Sequence, residues 1–267
     1  MFYKVIFFLV NLFPNIKKYC WKLWYNFISN KFKDDYFKFM NYGYYNEELV
    51  LALDKSDELE RYPIQLYHHL CIQVELKDKV IVEVGSGRGG GAHFIARYHK
   101  PKVITGVDLS PNAVSLSNKS YNLDNLNFLV GDSAKLPFEN NSVDVILNVE
   151  SSHCYPSIPD FISEVCRVLK PGGHFLYCDL VIDSNLDDHL NKLKNNNLPH
   201  FDYIDITENI IIASELMTND RNNIIDKVGS GFLRKVLKSF ASVKGSKIYK
   251  SFVDRHYRYI SLVTQKK

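Results

Sequence analysis

The chain lacks long apolar runs and carries little excess charge. The apolar stretch Val5–Phe13 is interrupted by Asn11 and stopped by Pro14, whereas a membrane-spanning helix needs roughly 20 apolar residues. No small-residue cleavage site follows it, so a secretory signal peptide is not expected. The formal net charge is only +3, which is too small and too scattered to indicate a nucleic-acid partner.

Cysteine is also scarce. The five cysteines are odd in number, and none forms a C-x-x-C pair. A disulfide framework or a zinc site is therefore not expected, we predict no metal, and a reducing compartment fits. We accordingly expect a cytoplasmic protein. The cysteines are Cys20, Cys71, Cys154, Cys166 and Cys178.

The segment Ile16–Phe32 mixes aromatic residues with lysines. Such a helix suits the surface of a membrane, with its rings among the lipids and its lysines near the headgroups. It equally suits a helix packed on the body of the protein, because amphipathicity alone does not separate the two cases. Peripheral membrane contact through the N-terminus therefore stays open beside a packed helix.

From residue 79 onward, apolar strand-like runs alternate with helix-like segments. Strands separated by helices predict a parallel sheet with right-handed crossovers, and ligands of such sheets bind at the carboxyl ends of the strands. Ser110 and Pro111 predict one helix start, and Lys170-Pro-Gly-Gly predicts the end of a helix over Phe161–Leu169. The predicted parallel strands are Val80–Val84, Val103–Val107, Leu126–Val130, Val143–Val149 and His174–Cys178.

After Asp179 the pattern changes. Residues 183–225 are rich in Asn and Asp and predict a helical cap insertion rather than core. A helix is expected over Val228–Phe240, followed by two strands, Ala241–Tyr249 and His256–Thr264, that pair antiparallel at one edge of the sheet. We thus predict an α/β protein with a Rossmann-like, doubly wound, mainly parallel seven-stranded sheet, an antiparallel C-terminal edge strand and a helical cap.

Two domains follow from this pattern. Residues 1–61 are expected to form an N-terminal helical segment or lid, and residues 62–267 the main domain that carries the cap.

The most informative stretch is VIVEVGSGRGGG, residues 80–91, in which a strand runs into a glycine loop. Gly85, Gly87 and Gly90 match G-x-G-x-x-G, which is typical of dinucleotide sites but weak evidence by itself. Glu83 argues against a dinucleotide, because a carboxylate there would repel a pyrophosphate. A cationic amino-acid group would instead favour it. S-adenosylmethionine carries an ammonium and a sulfonium and no phosphate, so it is the predicted cofactor.

Two acids farther along fit an adenosine ligand. Asp108 ends the second strand, where an acid hydrogen-bonds ribose hydroxyls. Asp132 follows a glycine after the third strand and is positioned to accept a hydrogen bond from the adenine amino group. The alternative is that it is an aspartate of an ordinary turn.

Several motifs, taken together and in order, resemble the class I S-adenosylmethionine-dependent methyltransferases. They are EVGSGRGGG, GVDLS, GDSAKLPFENNSVDVI and EVCRVLKPGG, and the resemblance covers about residues 62–180. MNYGY, RYPIQLYHHL and LNVESSHCYP further resemble the phthiotriol/phenolphthiotriol dimycocerosate methyltransferases, bacterial enzymes that O-methylate a hydroxyl on a long-chain lipid. The exact substrate does not carry over, because similar motifs recur in enzymes that methylate small molecules and sugars.

The resemblance implies a set of cofactor-binding residues. The loop residues would line the methionine part, the acid of the second strand the ribose, the residues after the third strand the adenine, and Asn148 the methyl-donor end. Two tyrosines resemble lid aromatics over the sulfonium, where cation–π contact is favourable, although plain packing explains them equally well. The set is Glu83, Gly85, Ser86, Gly87, Gly89, Asp108, Leu109, Gly131, Asp132, Ser133, Asn148, Tyr44 and Tyr67.

Methyl transfer to oxygen needs a base for the acceptor proton. His153 lies in the loop after the fourth strand and suits this role, and Asp179 at the end of the fifth strand is expected to orient it. The alternatives are that His153 holds the side chain of Glu150 and that Asp179 only caps the next segment. We do not expect Cys154 to be a nucleophile, because a reactive thiol needs more than a neighbouring histidine.

The sequence therefore predicts an S-adenosylmethionine-dependent O-methyltransferase of a lipid or small-molecule hydroxyl. The alternative hypotheses are a C-methyltransferase of a quinone or sterol-like lipid, an NAD-dependent oxidoreductase and a non-enzymatic cofactor-binding protein.

Overall fold

The computed structural model describes residues 38–195, 197–198, 201–228, 231, 234, 237–238 and 241–267. In this part of the chain no helix is both long enough and apolar enough to cross a membrane. The predicted interfacial helix over Ile16–Phe32 lies outside the described residues, as does most of the predicted helix over Val228–Phe240.

Seven strands and eight α-helices can be bounded in the described residues. The strands are β1 (Val80–Val84), β2 (Val103–Asp108), β3 (Leu126–Val130), β4 (Val143–Val149), β5 (Leu169–Ile182), β6 (Tyr203–Asp205) and β7 (Tyr257–Gln265). The helices are α1 (Arg61–Cys71), α2 (Gly90–Tyr98), α3 (Pro111–Ser120), α4 (Ile158–Val168), α5 (Leu186–Leu193), α6 (Thr207–Leu216), α7 (Thr218–Val228) and α8 (Lys247–Val253).

The strands form one sheet in the order β3-β2-β1-β4-β5-β7-β6. The first five strands pair parallel, and β7 pairs antiparallel with β5 along its length. The predicted Rossmann-like sheet and its antiparallel C-terminal strand are therefore confirmed. The chain leaves β1 toward β2 on one side and reaches β4 on the other, and an open α/β sheet binds its ligands at such a switch point.

The sheet separates two apolar cores. On one side α1 and α2 cover it with residues such as Leu66 and Phe94, and on the other α4 packs Phe161 and Val165 against it. Burial on both faces explains why the central strands read as continuous apolar runs rather than as alternating ones. This packing fixes the carboxyl ends of β1, β2 and β4 side by side.

One predicted strand is wrong. Residues 241–246 form turns, and Lys247–Val253 is a helix rather than the second half of a strand. The Ser246 hydroxyl accepts a hydrogen bond from the amide of Tyr249 at 3.3 Å, which caps the first turn of this helix.

The edge of the sheet is instead β6, which pairs antiparallel with β7. This strand comes from residues 183–225, which were expected to be purely helical. The helices described in that segment are α5, α6 and the first part of α7. Within residues 38–60, by contrast, the only helical piece is the 3-10 turn Glu58–Glu60, and residues 38–45 form an irregular strap.

Candidate active site

The glycine loop joins β1 to α2 as predicted. Gly85, Gly87 and Gly89 have φ angles of +79°, +53° and +81°, a left-handed conformation that glycine adopts without steric cost. The amides of Gly85 and Ser86 both donate to the carbonyl of Val107, at 2.8 and 3.1 Å. The loop is thus tied to the end of β2, and its backbone is left in a tight turn.

Glu83 lies buried beneath this loop. Its Oε1 accepts a hydrogen bond of 2.6 Å from the Tyr67 hydroxyl, so the structure brings two predicted site residues together. Its Oε2 is buried without a partner. Burial, the largest cause, raises the pKa of Glu83 to about 7, so a cationic group beside this carboxylate would stabilise its charged form.

Asp108 ends β2 beside the glycine loop. Its two oxygens accept hydrogen bonds from the amides of Gly87 and Ser110, both at 2.8 Å. Burial raises the pKa of Asp108 to about 6. The carboxylate is therefore held in place by the loop, with Leu109 following it on the half-buried edge of the same site.

The turn after β3 adjoins this acid. The amide of Gly131 donates to the carbonyl of Asp108 at 3.0 Å, and a Cβ on Gly131 would lie 2.6 Å from a methyl group of Val107. Asp132 accepts a hydrogen bond from the amide of Ala134 at 3.1 Å, and both it and Ser133 are half-buried. The predicted ribose and adenine residues are therefore neighbours.

Asn148, buried on β4, borders the loop from the other side. Its Nδ2 lies 2.9 Å from the carbonyl of Val84 and 2.8 Å from the hydroxyl of Ser151, and its Oδ1 is buried without a partner. A Cβ on Gly85 would lie only 2.3 Å from the Ser151 hydroxyl. The loop could not pass this close to β4 with any larger residue there.

Three buried polar atoms around the loop have no hydrogen-bond partner in the described structure: Glu83 Oε2, Ser86 Oγ and Asn148 Oδ1. Buried polar atoms are nearly always paired, so such a cluster points to a ligand. On the outer side of Gly87 the nearest atom to a Cβ would be the sulfur of Met40, at 4.0 Å. Two acceptor oxygens and a hydroxyl beside an open glycine fit a ligand that brings hydrogen-bond donors, such as an amino-acid ammonium group.

His153 and Asp179 form a hydrogen-bonded pair, as predicted. His153 lies in the 3-10 turn Ser152–Cys154 directly after β4, and its Nδ1 is 2.7 Å from Asp179 Oδ1. The Asp179 side chain is 0 % exposed and that of His153 is 28 % exposed. The carboxylate is therefore sealed inside the protein, while the imidazole stays partly exposed.

Charge and hydrogen bonding set the protonation of this pair. Burial opposes the imidazolium form of His153, but the charges of Cys154 and Asp179 and their hydrogen bonds to the ring outweigh it and raise its pKa well above the usual value. Burial likewise opposes ionisation of Asp179, but the charge and the donors of His153 and Ser152 lower its pKa. Asp179 is therefore a carboxylate that attracts a proton to His153.

Glu150 is a site residue that the sequence did not assign. Its Oε2 accepts hydrogen bonds from the amide of Tyr42 at 2.9 Å and from the hydroxyl of Tyr259 at 2.8 Å, and burial raises its pKa to about 8. Its φ of +50° is unusual for a residue with a side chain and marks a constrained position. The sequence left open a pairing of His153 with the Glu150 side chain. In the described hydrogen bonds His153 pairs with Asp179, and the Glu150 side chain accepts from the two tyrosines.

Tyr44 lies elsewhere than its prediction implied. Its ring stacks on His69 with centroids 4.6 Å apart, and its amide donates to the carbonyl of Tyr62 at 2.9 Å. His69 in turn hydrogen-bonds Ser261 on β7 at 3.0 Å. These described contacts belong to the junction of α1 with β7 rather than to the glycine loop.

Comparison with known proteins decides what this site serves. Residues 82–177 match the profile of the family described as "Methyltransferase domain". The phthiotriol/phenolphthiotriol dimycocerosates methyltransferase of Mycobacterium leprae is 36% identical over 232 residues, which cover 86% of each chain. The chain belongs to this family of S-adenosylmethionine-dependent methyltransferases. The fatty-acid O-methyltransferase of Mycolicibacterium smegmatis is 35% identical over 224 residues, 84% of this methyltransferase and 82% of that relative.

Solved structures of other methyltransferases share the fold. The geranyl diphosphate C-methyltransferase of Streptomyces coelicolor aligns with a TM-score of 0.64 at 19% identity, over 91% of this chain and 98% of that one. A phosphoethanolamine N-methyltransferase of Haemonchus contortus, in complex with S-adenosyl-L-methionine, aligns with a TM-score of 0.61 at 18% identity, over 76% and 52%. The cofactor of this methyltransferase is S-adenosylmethionine, as predicted from the carboxylate of Glu83. The match of the glycines to the G-x-G-x-x-G spacing of dinucleotide sites is therefore a coincidence.

Proposed function

We propose that this methyltransferase O-methylates a hydroxyl group on a lipid, with His153 as the general base. The pair formed by His153, in the turn after β4, and Asp179, inside β5 rather than at its end as predicted, is the observation that carries the proposal, because an imidazole with a buried carboxylate behind it is built to take a proton. The printed names of the relatives, a fatty-acid O-methyltransferase and phthiotriol methyltransferases, support a lipid acceptor and transfer to oxygen.

The residues around the glycine loop would hold the cofactor. Glu83 Oε2 and Asn148 Oδ1 offer buried acceptors to its ammonium group, Asp108 offers a carboxylate to its ribose, and Asp132 and Ser133 lie where its adenine is expected. When bound, S-adenosylmethionine supplies an electrophilic methyl group on a positively charged sulfur. The loop contributes position rather than chemistry, and alignment of this kind supplies a large part of the rate gain in transfer reactions.

His153 must be neutral before it can accept the proton of the acceptor hydroxyl. Asp179 binds Nδ1, so the imidazole nitrogen that remains for the proton is Nε2. Since its pKa is raised well above the usual value, the imidazolium form dominates at lower pH and the base is blocked. We therefore expect turnover to increase as the pH rises through that raised pKa.

The acceptor would be enclosed by parts outside the sheet. We assign this role to the strap of residues 38–45 and the cap of residues 183–225; the remainder of the predicted segment 1–61 up to residue 37 lies outside the described residues. Contact of the N-terminal segment with a membrane belongs to the same proposal, because a long-chain acceptor resides in lipid. Deletion of residues 1–32 followed by sedimentation with liposomes tests that contact, and undiminished binding would argue against it.

The central test replaces His153 by Gln. A general base typically contributes a factor of about 10² to 10⁴, so turnover with a lipid acceptor should fall by that factor while the affinity for S-adenosylmethionine, measured by calorimetry, stays within about twofold. Full turnover in the variant would remove His153 as the base.

The acceptor atom requires a separate measurement. Lipid extracts incubated with the enzyme and a deuterated methyl donor should yield a labelled methyl ether. A labelled methyl ester would instead identify a carboxyl group as the acceptor. A product with the label on carbon would establish the C-methyltransferase alternative.

A further inference from the structure

Behind the catalytic pair, a chain of buried hydrogen bonds continues to a second histidine. Asp179 Oδ2 accepts from the Ser152 hydroxyl at 2.6 Å, the Ser152 hydroxyl contacts the Tyr177 hydroxyl at 2.8 Å, and that hydroxyl contacts Nε2 of His189 at 2.7 Å. Ser152, Tyr177 and Asp179 are 0% exposed. His189 lies on α5, in the cap segment, so the chain connects the cap with the catalytic histidine.

The donors in this chain must all point in one direction. Asp179 accepts four described hydrogen bonds, two from His153, one from Ser152 and one from the amide of Leu180, and it is ionised, so it donates none. The Ser152 hydroxyl donates its single hydrogen to Asp179. Tyr177 must therefore donate to Ser152.

The same count fixes the state of His189. The Tyr177 hydroxyl has a single hydrogen, which it donates to Ser152, so it must accept a hydrogen bond from His189. Nε2 of His189 must consequently carry a hydrogen. Burial, the largest cause, lowers the pKa of His189, so at neutral pH the ring is neutral with its proton on Nε2.

We propose that Tyr177 and His189 are positioning residues for methyl transfer that act on His153 through Ser152 and Asp179. This rests on the proposed function, in which His153 is the base. The directed donors draw negative charge from Asp179 and fix the plane of its carboxylate. Hydrogen bonds that end on an ion are stronger than neutral ones, and linked bonds polarise one another.

The consequence is that these donors lower the basicity of His153. Without the Tyr177 hydroxyl, Ser152 loses the donor that orients it, more negative charge stays on Asp179, and the imidazolium of His153 is held more tightly. Four charged or titratable groups act on His189: Asp188 and Lys192 from its own helix, and Asp179 and His153 from the side of the sheet. Asp179 and Asp188 favour its charged form and Lys192 and His153 oppose it, so no single neighbour dictates its state.

The test compares pH–rate profiles of variants. In Tyr177→Phe and His189→Leu, the acid side of the kcat profile should move to higher pH by about half a unit or more, so kcat at pH 7 should fall about threefold or more, while KM for S-adenosylmethionine stays unchanged. His189→Gln, whose amide can still donate, should restore most of kcat. Tyr249→Phe is the matched control, because the described partner of the Tyr249 hydroxyl is Glu215, which is not part of the hydrogen-bond series from Asp179 to His189.

A structural readout accompanies the kinetics. In the cofactor-free protein, ¹⁵N NMR of the histidine rings should show His189 with its hydrogen on Nε2. A hydrogen on Nδ1 alone would overturn the proposal, and this measurement decides the question even where Tyr177→Phe fails to fold.

The two proposals fail in different ways. If His153→Gln is inactive but Tyr177→Phe and His189→Leu keep the wild-type pH profile, the positioning role is overturned and the base stands. If His153→Gln keeps full turnover, the base assignment fails, and so does a role for Tyr177 and His189 in methyl transfer.

Discussion

At the scale of single residues, the three left-handed glycines of the loop have different reasons to be glycine. A Cβ on Gly85 would collide with Ser151 at 2.3 Å, and one on Gly89 would collide with the ring of Phe128 at 2.6 Å. On Gly87 the nearest atom would be 4.0 Å away, so only its φ of +53° demands glycine. Two of these glycines therefore allow close packing, and the third leaves its outer side open for a ligand.

Gly87→Ala separates these effects when it is compared with Gly172→Ala. Gly172 also has a positive φ, +77°, and an open surrounding with the nearest atom 3.8 Å away, but it lies in the Lys170-Pro-Gly-Gly segment. Both variants should lose about 1–2 kcal/mol of unfolding free energy from backbone strain, measured by urea titration. Only Gly87→Ala should bind S-adenosylmethionine about tenfold or more weakly. Equal affinities in the two variants would place the cofactor away from this loop.

Some residues of the site were predictable and others were not. Glu83 and Asp108 follow from their places at the ends of apolar strands next to glycines, because that local pattern implies a ligand loop. Glu150 could not be assigned, since its partners Tyr42 and Tyr259 are 108 and 109 positions away in the sequence. Pairings at that separation depend on the topology and leave no local trace.

At the scale of elements, the strap of residues 38–45 is fixed from several directions. The amide of Tyr42 donates to Glu150 at the end of β4, and the amide of Tyr45 donates to the carbonyl of Asn209 on α6 at 3.2 Å. Arg221 of α7 donates to the carbonyl of Asn41 at 2.9 Å. The strap therefore joins the catalytic edge of the sheet to the cap, and its order depends on both.

Glu150→Leu should loosen this strap, whereas Glu150→Gln should not. The Gln carbonyl can still accept from the Tyr42 amide and the Tyr259 hydroxyl, but Leu removes both acceptors. Both variants keep the same strained φ, so they differ mainly in these hydrogen bonds. Hydrogen exchange of a peptide spanning residues 38–45 should be roughly tenfold faster in Glu150→Leu, as expected for the loss of a buried hydrogen bond. Equal protection in the two variants would show that Glu150 does not hold the strap.

The elements of the parallel sheet were predictable because each is a buried apolar run followed by a helix signal. The edge strand β6 was not, because all three of its residues are exposed and it comes from an Asn- and Asp-rich segment. The apolar residues of Ala241–Tyr249 predicted a strand, but a serine cap starts a helix there. Propensity is a weak guide where tertiary pairing and caps decide.

At the scale of the whole molecule, the proposed cofactor site draws on α1, β1, β2 and β4 at once, so a ligand there should stabilise the native state as a unit. A ligand at 100 times its dissociation constant adds about 2.7 kcal/mol. For a domain of this size that corresponds to a rise of roughly 5–10 °C in the unfolding midpoint. Differential scanning fluorimetry with S-adenosylmethionine should show this rise and NAD should show none. A comparable shift with NAD would contradict the assigned specificity of the loop.

The place of β7 between β5 and β6 has a consequence for biosynthesis. The ribosome makes β6 before β7, yet β6 pairs only with β7 among the described strands. The five parallel strands and the glycine loop precede β6 and β7 in the sequence, so they leave the ribosome first. Tyr259 and Ser261, which complete the contacts of Glu150 and His69, arrive with the last strand. A nascent chain therefore contains the glycine loop and its flanking strands before β7 supplies these partners of Glu150 and His69.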